Sequence, residues 1–64
     1  MFAAKLIKFW LEYKNDWLTV SAYAEYHGMS EFDTTDCIEI GRKYEHMYKW
    51  HLDAKGEVVI TGLA

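Results

Sequence analysis

Residues 18–30 read Leu-Thr-Val-Ser-Ala-Tyr-Ala-Glu-Tyr-His-Gly-Met-Ser, and their spacing sets the expected fold. Thr19 is placed to cap a helix, its hydroxyl accepting an otherwise orphaned N–H of the first turn. Val20, Tyr23, Ala24 and His27 then fall at i, i+3, i+4 and i+7, one face of a helix running from about Val20 to His27. Ala24 is small enough to let a second helix approach closely. Gly28 follows the last helical residue, where a left-handed conformation costs glycine almost nothing. Met29 can plug the corner, and Ser30 or Asp33 can cap the helix that follows. The stretch predicts two helices joined by a tight turn.

Working outward toward the N-terminus, residues 3–14 read as a first helix. Lys5, Lys8, Glu12 and Asp16 trace one narrow polar stripe, and Phe2, Leu6, Ile7, Phe9, Trp10, Leu11 and Tyr13 fill the rest. So broad an apolar surface exceeds what one packing partner covers, which predicts contact with the rest of the chain and with a second molecule. Asn15 and Asp16 end the helix, and Trp17 with Leu18 is expected to tack the connector to the core.

Working toward the C-terminus, a third helix is expected from Asp33 or Thr34 to about Ala54, with Phe32 stapling its entrance. Its buried face would hold Cys37, Ile38 or Ile40, Gly41, Tyr44, Met47, Tyr48, His51 and Leu52. Gly41 in mid-helix costs about 1 kcal/mol relative to alanine, which a close crossing with Ala24 would explain. Glu39–Lys43 and Glu45–Lys49 lie at i, i+4 and read as a solvated face. Gly56 stops the helix. Glu57–Thr61 has strand propensity but needs a partner: the short Leu18–Val20 segment, its twin in a homodimer, or the sheet edge of another protein. Otherwise it covers the helices as extended coil.

Sixty-four residues make one domain. A chain of this size buries only about 60% of its unfolded surface, so oligomerisation is the expected staple. The lone Cys37 forms no internal disulfide and fits a reducing cytoplasm. Aromatic residues make up 17% of the chain, more rings than a small core readily encloses, and tyrosine and tryptophan favour interfaces. The net charge of −3 opposes nonspecific nucleic-acid binding, which depends on Lys and Arg at phosphates. No apolar run is long enough to span a bilayer, and no signal peptide is evident.

Little in the chain suggests catalysis. His27, His46 and His51 are too irregularly spaced for a metal cage. Asp33, Asp36 and Glu39 oppose the thiolate that a helix N-terminus would favour at Cys37, which reads as a small buried hydrophobe. Glu31, Asp33, Asp36 and Glu39 lack the glycine and terminal glutamate of a calcium loop; carboxylates suit a helix N-terminus because of its dipole. No metal, cofactor or enzymatic activity is expected.

The Ala24…Gly28-Met29…Ser30 spacing resembles the helix-turn-helix family over residues 18–41, and the resemblance implies DNA reading by the N-terminal part of the second motif helix. Here that part carries three acids and no base. An apolar residue expected about six positions after the turn glycine is Thr34, so Cys37 and Ile38 would have to supply the packing. Residues 19–30, with Ile38-Glu39-Ile40-Gly41-Arg42-Lys43, also resemble small bacteriophage accessory proteins of unassigned role, which implies binding of a host component. The resulting expectation is an all-α, three-helix domain with a helix-turn-helix-like centre and a C-terminal strand or extended tail. It would act as a non-enzymatic, dimeric, cytoplasmic binding protein. Glu31, Asp33, Asp36, Glu39, Trp10 and Tyr26 would meet a protein partner. The alternative is a DNA-binding regulator using Arg42, Lys43 and Lys49.

Overall fold

The computed structural model describes residues 2–64. Three helices, α1 (Phe2–Asp16), α2 (Val20–His27) and α3 (Glu31–Met47), are followed by two strands, β1 (Tyr48–Leu52) and β2 (Val58–Leu63). The strands pair antiparallel as a hairpin. The domain is therefore helical with a β-hairpin, which corrects the all-α expectation.

The corner at the centre forms as its residues dictate. The Thr19 hydroxyl accepts the Ala22 N–H at 3.2 Å. Gly28 adopts φ 66°, its N–H donating to the Glu25 carbonyl while that of Met29 donates to the Ala24 carbonyl. This paired closure satisfies two carbonyls at the helix end. The Ser30 hydroxyl then accepts the Asp33 N–H at 3.1 Å, so α3 starts at Glu31, ahead of the expected start at Asp33 or Thr34. Thr34 is fully buried, and its hydroxyl donates to the Ser30 carbonyl at 2.8 Å. It fills the core position itself, because that local bond removes the cost of burying the hydroxyl.

α1 is the element the others cover. Ala3, Leu6 and Ile7 are buried along it. Leu6 and Trp10 meet Gly41, and Trp10 and Lys14 meet Glu45, so α1 and α3 run in the same direction. α2 packs across Phe9 and Tyr13 through Tyr23, and Lys8 reaches Glu57 beside β2 at 2.8 Å. Most of the apolar surface on α1 is thus used within the chain, Phe2 at its start remaining exposed. Gly41 touches α1, not Ala24 on α2: a Cβ there would collide with the Leu6 carbonyl oxygen and lie 2.8 Å from Trp10 Cβ.

Helix α3 stops at Met47, seven residues short of Ala54, because residues 48–52 are the partner that β2 requires. Tyr48, Trp50 and His51 have modest helix propensity, and burial along β1 alternates at its start, with Tyr48 and Trp50 inward of Lys49. The Trp50 indole donates to the Glu45 carbonyl at 3.1 Å, satisfying one open carbonyl at the helix end. Glu45 does not pair with Lys49. Its carboxylate turns inward, accepting the Trp10 indole N–H at 2.8 Å with Lys14 Nζ 3.7 Å away. His51 and Leu52, expected in the core, are exposed on the hairpin. A register shift after Lys49 leaves Thr61 as a bulge, its hydroxyl donating to the Lys49 carbonyl.

The hairpin loop is Asp53-Ala54-Lys55-Gly56-Glu57. Gly56 at φ 80° donates to the Asp53 carbonyl, and the Asp53 carboxylate accepts the N–H groups of Lys55 and Glu57, each at 2.9 Å. The Glu57 N–H and then the Lys55 N–H stabilise the charged carboxylate, with His51 and Lys8 adding to the effect, and hold Asp53 below its ordinary pKa. A lowered folded-state pKa means that this contribution is present above the unfolded-state value and is lost as pH falls through the folded one. Acidification is therefore expected to loosen the hairpin, raising amide exchange along β1 and β2. Asp53→Ala should loosen it at neutral pH and remove most of that acid response. Equal acid responses in the two proteins would contradict this role.

Candidate functional site

The exposed side of α3 follows from its buried side. Thr34, Ile38 and Gly41 face inward, so residues offset by half a turn face solvent. Glu31, Phe32, Thr35, Asp36 and Glu39 line one shallow, open hollow there, all contributed by α3. Phe32 does not staple the helix entrance; it lies within the first turn and is 81% exposed. The sequence signal for this was an aromatic residue set between Glu31 and Asp33 on the polar side.

Among the described residues, the ion pairs are Lys8–Glu57 and Lys14–Glu45, and His46 Nε2 lies 3.9 Å from the Glu45 carboxylate. Glu31, Asp33, Asp36 and Glu39 are in none of them, and neither are Arg42, Lys43 and Lys49. The helix dipole favours carboxylates in the first turn, which accounts for Glu31 and Asp33 but not for an exposed phenylalanine beside them. Asp33 donates its backbone N–H to the capping Ser30 hydroxyl and does not line the hollow.

The other residues expected to meet a partner lie elsewhere. Trp10 is half-buried between α1 and α3, its indole committed to Glu45. Tyr26 is exposed at the rim of a ring cluster, with Trp17 and His27 centroids each 5.0 Å away. Tyr23 is the centre of that cluster. It is fully buried against Phe9, Tyr13, Trp17 and His27, and its hydroxyl donates to the Phe9 carbonyl at 2.8 Å. His27 is exposed, not on a core face, although its ring leans on Phe9, Tyr23 and Tyr26. Leu18 is 98% exposed, so only Trp17 ties the connector down.

Arg42 and Lys43 are exposed on α3, whereas Lys49 is exposed on β1, so the three basic residues do not share one helix face. Cys37 is half-buried, and burial first, then Asp36 and Asp33, push its thiol pKa up. That favours an unreactive thiol. Among the described residues, no group of three or more His, Cys, Asp or Glu side chains is placed to hold a metal ion. No helix among them is long and apolar enough to cross a membrane. No protein-family model, curated protein or solved structure matches the chain.

Proposed function

We propose that the protein is a small non-enzymatic binding protein that docks a basic protein surface through the N-terminal half of α3. The observation that carries this is the Phe32 ring, 81% exposed and flanked in one hollow by Glu31, Asp36 and Glu39, none of them ion-paired within the described chain. An arginine side chain matches this chemistry: its guanidinium stacks on an aromatic face and takes carboxylates in bidentate fashion. That the partner belongs to a bacterial host is part of the proposal and follows only from what the resemblance of residues 19–30 and 38–43 to small bacteriophage accessory proteins implies. DNA reading has less support, because the part of α3 that a helix-turn-helix would insert into the major groove is the acidic part.

The test is capture from a bacterial lysate by the wild-type protein and by a Glu31→Gln, Phe32→Ala, Asp36→Asn, Glu39→Gln variant, beside a duplex shift assay. The expected result is a protein bound by the wild type, released by salt and lost in the variant, with slower association when only the charges are removed. Sequence-selective duplex binding at physiological salt, abolished by Arg42→Ala with Lys43→Ala, would overturn it.

A further inference from the structure

We propose that the outer stripe of α3 pairs with the same stripe of a second copy of the chain, antiparallel about a two-fold axis near Glu39 and Ile40. Phe32, Asp36, Lys43 and Met47 fall at i, i+4, i+11 and i+15, on one side of the helix and opposite buried Thr34, Ile38 and Gly41. All four are exposed, Phe32 by 81% and Met47 by 39%. The stripe is charged in two parts. Asp36, with Glu39 beside it, is in its first half, and Lys43 is in its second; Glu31, Asp33 and Arg42 are exposed but lie to the sides of it. Glu45, the acid of the second half, is withdrawn onto Trp10 and Lys14, so the outward side there carries no negative charge.

A surface with that order complements itself only when reversed. Parallel pairing would set acid on acid. Antiparallel pairing sets Asp36 against Lys43 of the second copy, and the reverse, and seats each Phe32 ring against a Met47 thioether, a favourable sulfur–aromatic contact; the two Glu39 carboxylates then approach at the axis, a repulsion that further weakens the pair. The opposed helix dipoles favour the same sense. Such an interface is isologous, using one patch twice. From Phe32 to Met47 the stripe is about 22 Å long. Two helices meeting over that length bury less than the about 1,200 Å² of a stable specific complex, so the pair is weak and salt-sensitive.

This goes beyond the proposed docking of a basic partner and stands or falls without it. Because both occupants use Phe32 and Asp36, they exclude one another.

Sedimentation equilibrium from about 10 µM to about 1 mM at about 20 mM salt tests the pairing. The wild type is expected to pass from monomer to dimer over that range and to revert when salt is raised. Asp36→Lys alone should be monomeric, since the introduced ammonium would face Lys43 of the second copy. Lys43→Glu alone should be monomeric too, since its new carboxylate would face Asp36. An equimolar mixture of the two should dimerise again, because two cations on one stripe then face two anions on the other. Both sites are exposed, and far-UV circular dichroism verifies that each variant keeps its helices. Intermolecular Phe32–Met47 NOEs in a mixed-isotope wild-type sample give the same answer without substitution. A wild type that stays monomeric throughout, single variants that dimerise as it does, or a mixture that fails to recover would each overturn the proposal.

Discussion

Tyr23→Ala is expected to cost about 3–5 kcal/mol, the range for truncating a buried aromatic residue. A chain of this length has about 3–10 kcal/mol of stability in total, so the variant should be largely unfolded at ambient temperature, or close to it. The reason is concentration of contacts. Tyr23 is fully buried, its ring centroid lies 4.7–5.5 Å from those of Phe9, Tyr13, Trp17 and His27, and its hydroxyl ties α2 to the Phe9 carbonyl on α1. Tyr23→Phe keeps the ring and loses one neutral hydrogen bond, about 1 kcal/mol. Urea titrations of the two variants should therefore differ several-fold in effect. An alanine variant no weaker than the phenylalanine one would show that the cluster does not hold α2 in place. Tyr23 also sets an alkaline limit. Burial above all, then the negative charges of Glu12 and Asp16, raise its pKa. A raised folded-state pKa means the contribution is intact below the ordinary tyrosine value and is lost as pH climbs through the folded one. Tyr23→Phe should accordingly blunt alkaline unfolding.

Gly41→Ala should destabilise the protein, although helix propensity alone predicts a gain of about 1 kcal/mol. The added Cβ would meet the Leu6 carbonyl oxygen, a backbone atom with no rotamer to yield, and Trp10 Cβ at 2.8 Å. Relief requires α1 and α3 to part, which strains the Trp10–Glu45 bond beside the contact. Overpacking of this kind costs about 1–3 kcal/mol, and Gly41→Leu should lie at or beyond the upper end. Thermal denaturation reads the sign directly. A Gly41→Ala protein with a higher midpoint would show that the two helices separate freely and that glycine is not required at the crossing.

Most of the helical frame was legible in local residue chemistry. Thr19, the 20-23-24-27 spacing and Gly28 each act within a few residues of themselves, so α2 and its corner follow from neighbours in the chain, whereas of the two caps offered for α3 the structure uses Ser30 and starts the helix at Glu31, ahead of the expected Asp33 or Thr34. The stop of α3 was harder. Asp53-Ala54-Lys55-Gly56 is a turn signal between two strand-prone runs, and Gly56 was legible as a stop, but the helical periodicity of Tyr44, Tyr48, His51 and Leu52 competes with it over the same residues. The competition is settled by the backbone of β2, whose N–H and C=O groups need a ladder that only Tyr48–Leu52 supplies.

The candidate face divides in the same way. The charges of Glu31, Asp33, Asp36 and Glu39, their clustering near a helix start and the absence of bases among them were determined by the sequence alone. Which aromatic residues stand with them was decided by packing. Trp10 turns in to Glu45 and Phe32 turns out, because α1 lies against the side of α3 that carries Thr34, Ile38 and Gly41. The broad apolar circumference of α1 and the mid-helix glycine were equally plain in the sequence. That α2, α3 and the hairpin together cover that helix, and that Gly41 answers to Leu6 and not to Ala24, depends on which surfaces meet. Those contacts join residues far apart in the chain, and only tertiary packing selects among them.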